Sequence, residues 1–196
     1  MVTDPMMDPV ELFGQWYERA RGAGLVLPQA MTLATAGRFG KPAARVVLLS
    51  SFDHRGFVFH TNYESVKGEE IAAEPYVALV FWWEPPGYQV RIEGRAEKTT
   101  PAESDAYFRE RPRGHRLSAW ASDQSRVIPD RAVLEARMAE AVGRFGGAEV
   151  PRPPYWGGYR VVPELMEFWE NRPDRLHDRL RYRRAGDRWV TERLAP

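Results

Sequence analysis

The chain has 196 residues, with 28 Lys and Arg against 27 Asp and Glu, so its formal net charge is +1. A hydrophobic fraction of 43% and a charged fraction of 28% suit one globular domain over residues 1–196, with residues 1–8 expected to be flexible. Near-neutral charge gives no general argument for nucleic acid or an anionic membrane as partner, and the lack of cysteine removes disulfides, thiolate metal sites and a cysteine nucleophile. No 18-residue apolar run or signal-peptide pattern is present, which points to a cytoplasmic protein.

Asp8-Pro9 reads as a helix N-cap followed by proline at the first helical position, and Leu12, Phe13, Trp16 and Tyr17 fall near helical spacing. An amphipathic helix is expected from Pro9 to Ala23. Strand-like runs follow at 31–35, 44–50, 56–61, 76–83 and 88–97, with turns at 37–42, 53–56 and 84–87. A short helix over 65–72 separates the third run from the fourth. So many strands at short spacing predict an antiparallel barrel rather than a doubly wound sheet. Thr100-Pro101-Ala102-Glu103 has the form of a capping box and opens a helix to about Arg109. Further helix is expected at 117–120 and 129–145, and then strands return at 158–163, 166–169, 176–183 and 189–193.

Several polar side chains sit where such strands and helices would bring them to a sheet edge. Trp169 to Arg179 places an indole, three arginines and His177 within eleven residues, a density suited to a phosphorylated aromatic ligand and equally to a solvated hairpin. Arg45 heads an apolar strand, and Lys67 lies in the first turn of a helix, where backbone amides favour phosphate. Gln89 interrupts a strand and could pair with a heterocycle. Arg111 follows Tyr107 by four residues, so on a helix the two would share a face and could grip one phosphate. Ser122, Gln124 and Ser125 add neutral donors. Each segment alone reads as well as an ordinary charged edge or helix end. No glycine-rich phosphate loop, zinc-type histidine spacing or nucleophile elbow occurs, so no metal is expected.

Taken in order, Arg-Val-Val-Leu-Leu at 45–49, Phe-His-Thr-Asn-x-x-Ser-x-Lys at 59–67, Tyr-Phe-x-x-Arg-Pro-Arg at 107–113, Ala-Trp-Ala-Ser-x-Gln-Ser at 119–125, Trp-Gly-Gly-Tyr-Arg at 156–160, Phe-Trp at 168–169 and Arg-Leu-His-Asp-Arg at 175–179 resemble the pyridoxine/pyridoxamine 5'-phosphate oxidase family. The resemblance spans residues 8–196 and implies a mainly β fold with flanking helices, a six-stranded FMN-binding split barrel. It also implies a homodimer with flavin at the interface. Arg45, Val46, Val47, Leu48, His60, Thr61, Lys67, Gln89, Gln124, Ser125, Trp169 and Arg179 match flavin-contacting positions. Ser50, Tyr107, Arg111 and His115 match the substrate-phosphate pocket, and Arg175 and His177 the residues over the reacting ring. The implied reaction is oxidation of pyridoxine or pyridoxamine 5'-phosphate to pyridoxal 5'-phosphate, with O2 as acceptor and H2O2 released.

Besides Val66, which replaces a basic residue usual beside Lys67, two positions depart from the family pattern in the phosphate pocket. Ser50 stands where the oxidases usually carry lysine, and His115 where they usually carry serine. A charge-assisted hydrogen bond is worth roughly 1.5–3 kcal/mol against about 1 for a neutral one, so a missing cation weakens dianion binding. A tailoring oxidase of phenazine-biosynthesis type and a non-catalytic flavin or pyridoxal-phosphate carrier therefore stay open at this level.

Overall fold

The computed structural model describes residues 7–37 and 40–196. Most of the expected flexible start, and part of the expected 37–42 turn, lie outside the described residues. The chain divides into two compact units, the first drawn from Met1–Phe59, Glu74–Glu97 and Arg160–Pro196 and the second from His60–Ala73 and Lys98–Tyr159.

The strands are β1 (Ala30–Ala36), β2 (Pro42–Leu48), β3 (Ser51–Asp53), β4 (Gly56–Asn62), β5 (Tyr76–Trp83), β6 (Tyr88–Lys98), β7 (Trp156–Glu170), β8 (Asp178–Ala185) and β9 (Arg188–Arg193). They form one sheet in the order β2-β1-β5-β6-β7-β4-β3, with β8 added to β7 and β9 to β8. The β1–β2, β1–β5, β5–β6, β7–β8 and β8–β9 pairs are all antiparallel. Nine strands stand where six were expected, among the described residues. The surplus comes from β3, which is too short to show a period of two, and from the β8–β9 hairpin. The expected runs 158–163 and 166–169 are one strand: Pro163 is buried inside β7 instead of ending it.

In the first unit, helix α1 (Pro9–Gly22) begins as expected, with the Asp8 carboxylate accepting from the Val10 and Glu11 amides at 2.8 and 3.3 Å. Its buried face carries Leu12, Phe13, Trp16 and Ala20. The Phe13 ring meets Phe52, Phe57 and Phe81 edge-on at 4.9, 4.8 and 5.0 Å, with Trp83 tilted at 5.8 Å. Trp16 stacks on Tyr88 at 4.1 Å and meets Phe168 edge-on at 5.3 Å. Residue 94 must be glycine for close packing, since a Cβ there would lie 2.0 Å from the Val162 carbonyl oxygen.

The second unit holds α2 (Val66–Ala73), α3 (Pro101–Glu110), α4 (Arg113–Ala121) and α5 (Arg131–Phe145). The capping box of α3 is present in both directions: Glu103 N donates to Thr100 Oγ1 at 3.2 Å, and Thr100 N to Glu103 Oε2 at 2.9 Å. Helix α4 is longer than the expected 117–120 because its buried Leu117 and Ala121 are reached only after a full preceding turn. Phe108, Leu117, Ala121, Ala141, Val150 and Trp156 make this unit's core.

Phe13→Ala is expected to cost about 3–5 kcal/mol, because this fully buried ring packs against five others, Tyr17 included. Urea denaturation measures it; a loss below about 1 kcal/mol would show that α1 is not anchored as described.

Candidate functional site

In the second unit a short aromatic column forms where β4 and β7 residues meet α3. The His60 and Tyr107 rings lie parallel, 3.8 Å apart at 7°, and Trp156 stacks 5.4 Å from His60. The Arg111 guanidinium lies 4.5 Å from the Trp156 ring centre and 5.7 Å from that of Phe108. Helix α3 ends at Glu110, so Arg111 is its extended C-cap rather than a helical partner of Tyr107, yet both side chains reach this column. Burial, the larger effect, and then the Arg111 charge push the His60 pKa down to about 4. Burial also lowers the Arg111 pKa. Arg111 Nη1 is buried and has no acceptor among the described residues. A buried charged donor without an acceptor is costly, and an anionic ligand would supply one.

A second cluster in the same unit gathers Thr61, Lys67 and Gln124. Gln124 Oε1 accepts from the Thr61 hydroxyl at 3.0 Å and from Lys67 Nζ at 3.1 Å, and Lys67 also reaches Ser65 Oγ at 3.3 Å. Ser125 follows with φ 72, a left-handed conformation. Arg126 ties this loop to α2 through Glu69 at 2.6 Å. His115 is exposed on α4, apart from these contacts.

The first unit contributes a different set. Arg45 Nη1 donates to Thr35 Oγ1 at 2.5 Å. Val46 and Leu48 on the edge strand β2 are 67% and 49% exposed, while Val47 is half-buried. The Ser50 hydroxyl donates to the Val58 carbonyl at 3.0 Å. Gln89 pairs with Trp82 across β5–β6, and Trp82 lies 5.8 Å from Trp169. His177 packs 4.4 Å from Trp169 and accepts at Nδ1 from the Arg172 amide at 3.2 Å, so the neutral ring carries its proton on Nε2. Arg175 is exposed; it and Asp174 have φ of 59 and 58, a costly conformation for two consecutive non-glycine residues. Arg179, opposite Trp169, bonds Glu167 Oε1 through Nε at 2.8 Å and Nη2 at 2.7 Å, and the Ala195 carbonyl through Nη1 at 3.0 Å.

Sequence reasoning missed two residues here. Trp156 was legible only as part of a Trp-Gly-Gly motif, and Glu167 was hidden inside an alternating strand that looked merely amphipathic.

This arrangement is the split-barrel fold. The structure of PhzG from Burkholderia lata 383, in complex with tetrahydrophenazine-1-carboxylic acid, superposes with a TM-score of 0.93 at 38% identity, over 98% of this chain and 95% of that one. A pyridoxamine 5'-phosphate oxidase-related, FMN binding protein from Nostoc punctiforme shares the fold with a TM-score of 0.76 at 20% identity, with both chains fully covered. The chain belongs to the pyridoxamine 5'-phosphate oxidase family: that family's model matches residues 22–144, and the model of the pyridoxine 5'-phosphate oxidase C-terminal dimerisation region matches residues 156–196. A pyridoxine/pyridoxamine 5'-phosphate oxidase of Thermosynechococcus vestitus is 58% identical over 99% of this chain and 92% of its own. One from Rubrobacter xylanophilus is 57% identical over 96% and 87%. No described helix is long and apolar enough to cross a membrane.

A histidine held near pKa 4 when folded and near 6.5 when unfolded binds fewer protons in the native state over that window. Stability is therefore complete above about pH 6.5 and falls as pH drops toward 4, by at most about 3 kcal/mol. His60→Phe is expected to flatten that part of the stability–pH curve. Unchanged curvature in the variant would show that His60 is not the group responsible.

Proposed function

We propose that the protein is an FMN-dependent oxidase that converts pyridoxine 5'-phosphate and pyridoxamine 5'-phosphate to pyridoxal 5'-phosphate, with O2 as acceptor and H2O2 released. The observation that carries this reading is Arg111: a half-buried guanidinium whose buried Nη1 has no acceptor among the described residues, near the Tyr107 ring, suits the phosphate of a phosphorylated ring. Relatives of 57–58% identity that carry this oxidase name support it.

The residues present fit FMN. Arg45 and Lys67 supply cations for its phosphate, with His60, Thr61 and the Val46, Val47 and Leu48 segment beside them in the family's assignment. Gln89, Gln124, Ser125 and Arg179 supply donors and acceptors for a heterocycle edge, and Trp169 an aromatic face. Three of the five Arg179 N–H groups serve Glu167 and Ala195, which leaves two for a ligand. When bound, FMN supplies the acceptor for the hydride leaving the substrate's C4' carbon. Tyr107 and Arg111 bind the substrate phosphate; Ser50 and His115 match that role only in the family's assignment. Arg175 holds the substrate and polarises its reacting end, and His177 orients it by donating from Nε2.

A homodimer with flavin at its interface belongs to the same proposal, as do a single-domain organisation and a cytoplasmic location. The exposed Val46 and Leu48 on an edge strand and the match to a dimerisation region support the dimer. One observation favours a second reading. Ser50 spends its hydroxyl on Val58 and His115 is exposed, so neither adds a fixed cation, which suits an aromatic carboxylic acid of the kind bound in the PhzG structure.

Two variants separate binding from turnover. Arg111→Leu is expected to raise KM for pyridoxine 5'-phosphate about 10- to 100-fold, the worth of a charged hydrogen bond. Arg175→Ala is expected to lower kcat about 100-fold with FMN content unchanged. Wild-type kinetics in either variant would remove that residue from its role.

A further inference from the structure

We propose that Glu167 is a positioning residue for the flavin site, acting through Arg179 and set against a second cation, Arg91. The inference rests on the flavin reading above and goes beyond it, since neither Glu167 nor Arg91 carries a role there. Glu167 lies on β7 with only 3% of its surface exposed, yet its neighbours along that strand, Met166 and Phe168, are core residues of the opposite face. A carboxylate so buried is stable only when paired.

It has two partners, and they are unequal. Arg179 directs both Nε and Nη2 at Oε1, at 2.8 and 2.7 Å. Arg91, on β6, reaches Oε2 through Nη2 alone at 3.1 Å and shares itself with Glu93 at 3.3 Å. Arg91 Nε is buried and has no acceptor among the described residues. Glu167 therefore fixes the plane and direction of the Arg179 guanidinium, and the Ala195 carbonyl closes its third side at 3.0 Å. Arg91 is the more weakly held cation, trimming the negative charge that Glu167 places behind Arg179. The triad carries a net single positive charge, two guanidiniums against one carboxylate, and changing either sign should change how the site weighs reduced against oxidised FMN.

The test uses the full chain reconstituted with FMN, comparing wild type, Glu167→Gln and Arg91→Met. FMN dissociation constants come from flavin fluorescence, and the relative affinity for reduced and oxidised FMN from a redox titration. Glu167→Gln keeps the volume, loses the negative charge and frees Arg179. It is expected to weaken oxidised FMN about tenfold and to shift the affinity ratio roughly fivefold toward reduced FMN, which carries the extra negative charge. Arg91→Met leaves the Glu167–Arg179 pair intact and removes a positive charge, so the ratio should move the opposite way. Opposed shifts are something a merely structural salt bridge would not produce.

If both variants melt lower but keep wild-type FMN affinity and redox ratio, the positioning role is overturned while the flavin reading stands. Should Glu167→Gln fail to fold, an unshifted ratio in Arg91→Met alone overturns it. A wild-type chain that binds no FMN overturns both.

Discussion

The constraint on which the first unit depends is the period of two along its strands. Phe13 and Trp16 of α1 demand an apolar face, and Phe57, Phe81, Trp83 and Phe168 supply it. Because alternate residues point to opposite faces, Trp82, Gln89, Arg91, Glu167, Trp169 and Arg179 are thereby sent to the other side. The core and the candidate site are two readings of the same registers. A slip of one residue in β6 or β8 would put guanidiniums against the aromatic rings and aliphatic and tyrosyl side chains in the site, so the hydrophobic cost of misregister also protects the chemistry.

The second unit solves a different problem: it holds polar groups in partly buried places without satisfying all of them. His60 is kept neutral by burial between rings, whereas Arg111 stays a cation with an unused donor. The contrast follows from intrinsic basicity. An imidazole near pKa 6.5 yields to desolvation, but a guanidinium has too much to lose and waits for an anion. Lys67 and Thr61, by comparison, share one amide oxygen of Gln124 and so hold the 122–125 loop to the strand and helix.

Much of this was legible in the sequence, and the limits have physical causes. The caps at Asp8 and Thr100 were readable because an N-cap is a local contract between neighbours. Strand β6 was readable because apolar and polar residues alternate along it, and β5 because an unbroken apolar run rich in β-branched and aromatic residues lies between Pro75 and the 84–87 turn. Strand β7 was read as two because Pro163 usually interrupts a ladder, and β8 began two residues late because Asp174 and Arg175 adopt a left-handed turn that no glycine announced. Arg45, Lys67 and Arg111 could be picked out from their local setting but gained a role only through the seven-motif resemblance, since a single cation on a strand or at a helix end reads equally well as a solvated charge. Glu167 escaped notice and Trp156 was read only as part of a motif, because their partners come from other segments and long-range pairing leaves no periodic trace.

The central claim is tested most directly by supplying pyridoxine 5'-phosphate in air to the purified, FMN-loaded protein and following aldehyde and peroxide together. The account predicts that both appear, one for one, at a useful kcat/KM. Bound yellow flavin that produces no aldehyde from this substrate, yet is rapidly reduced by a dihydro-aromatic carboxylic acid, would contradict it and move the chain to the second reading.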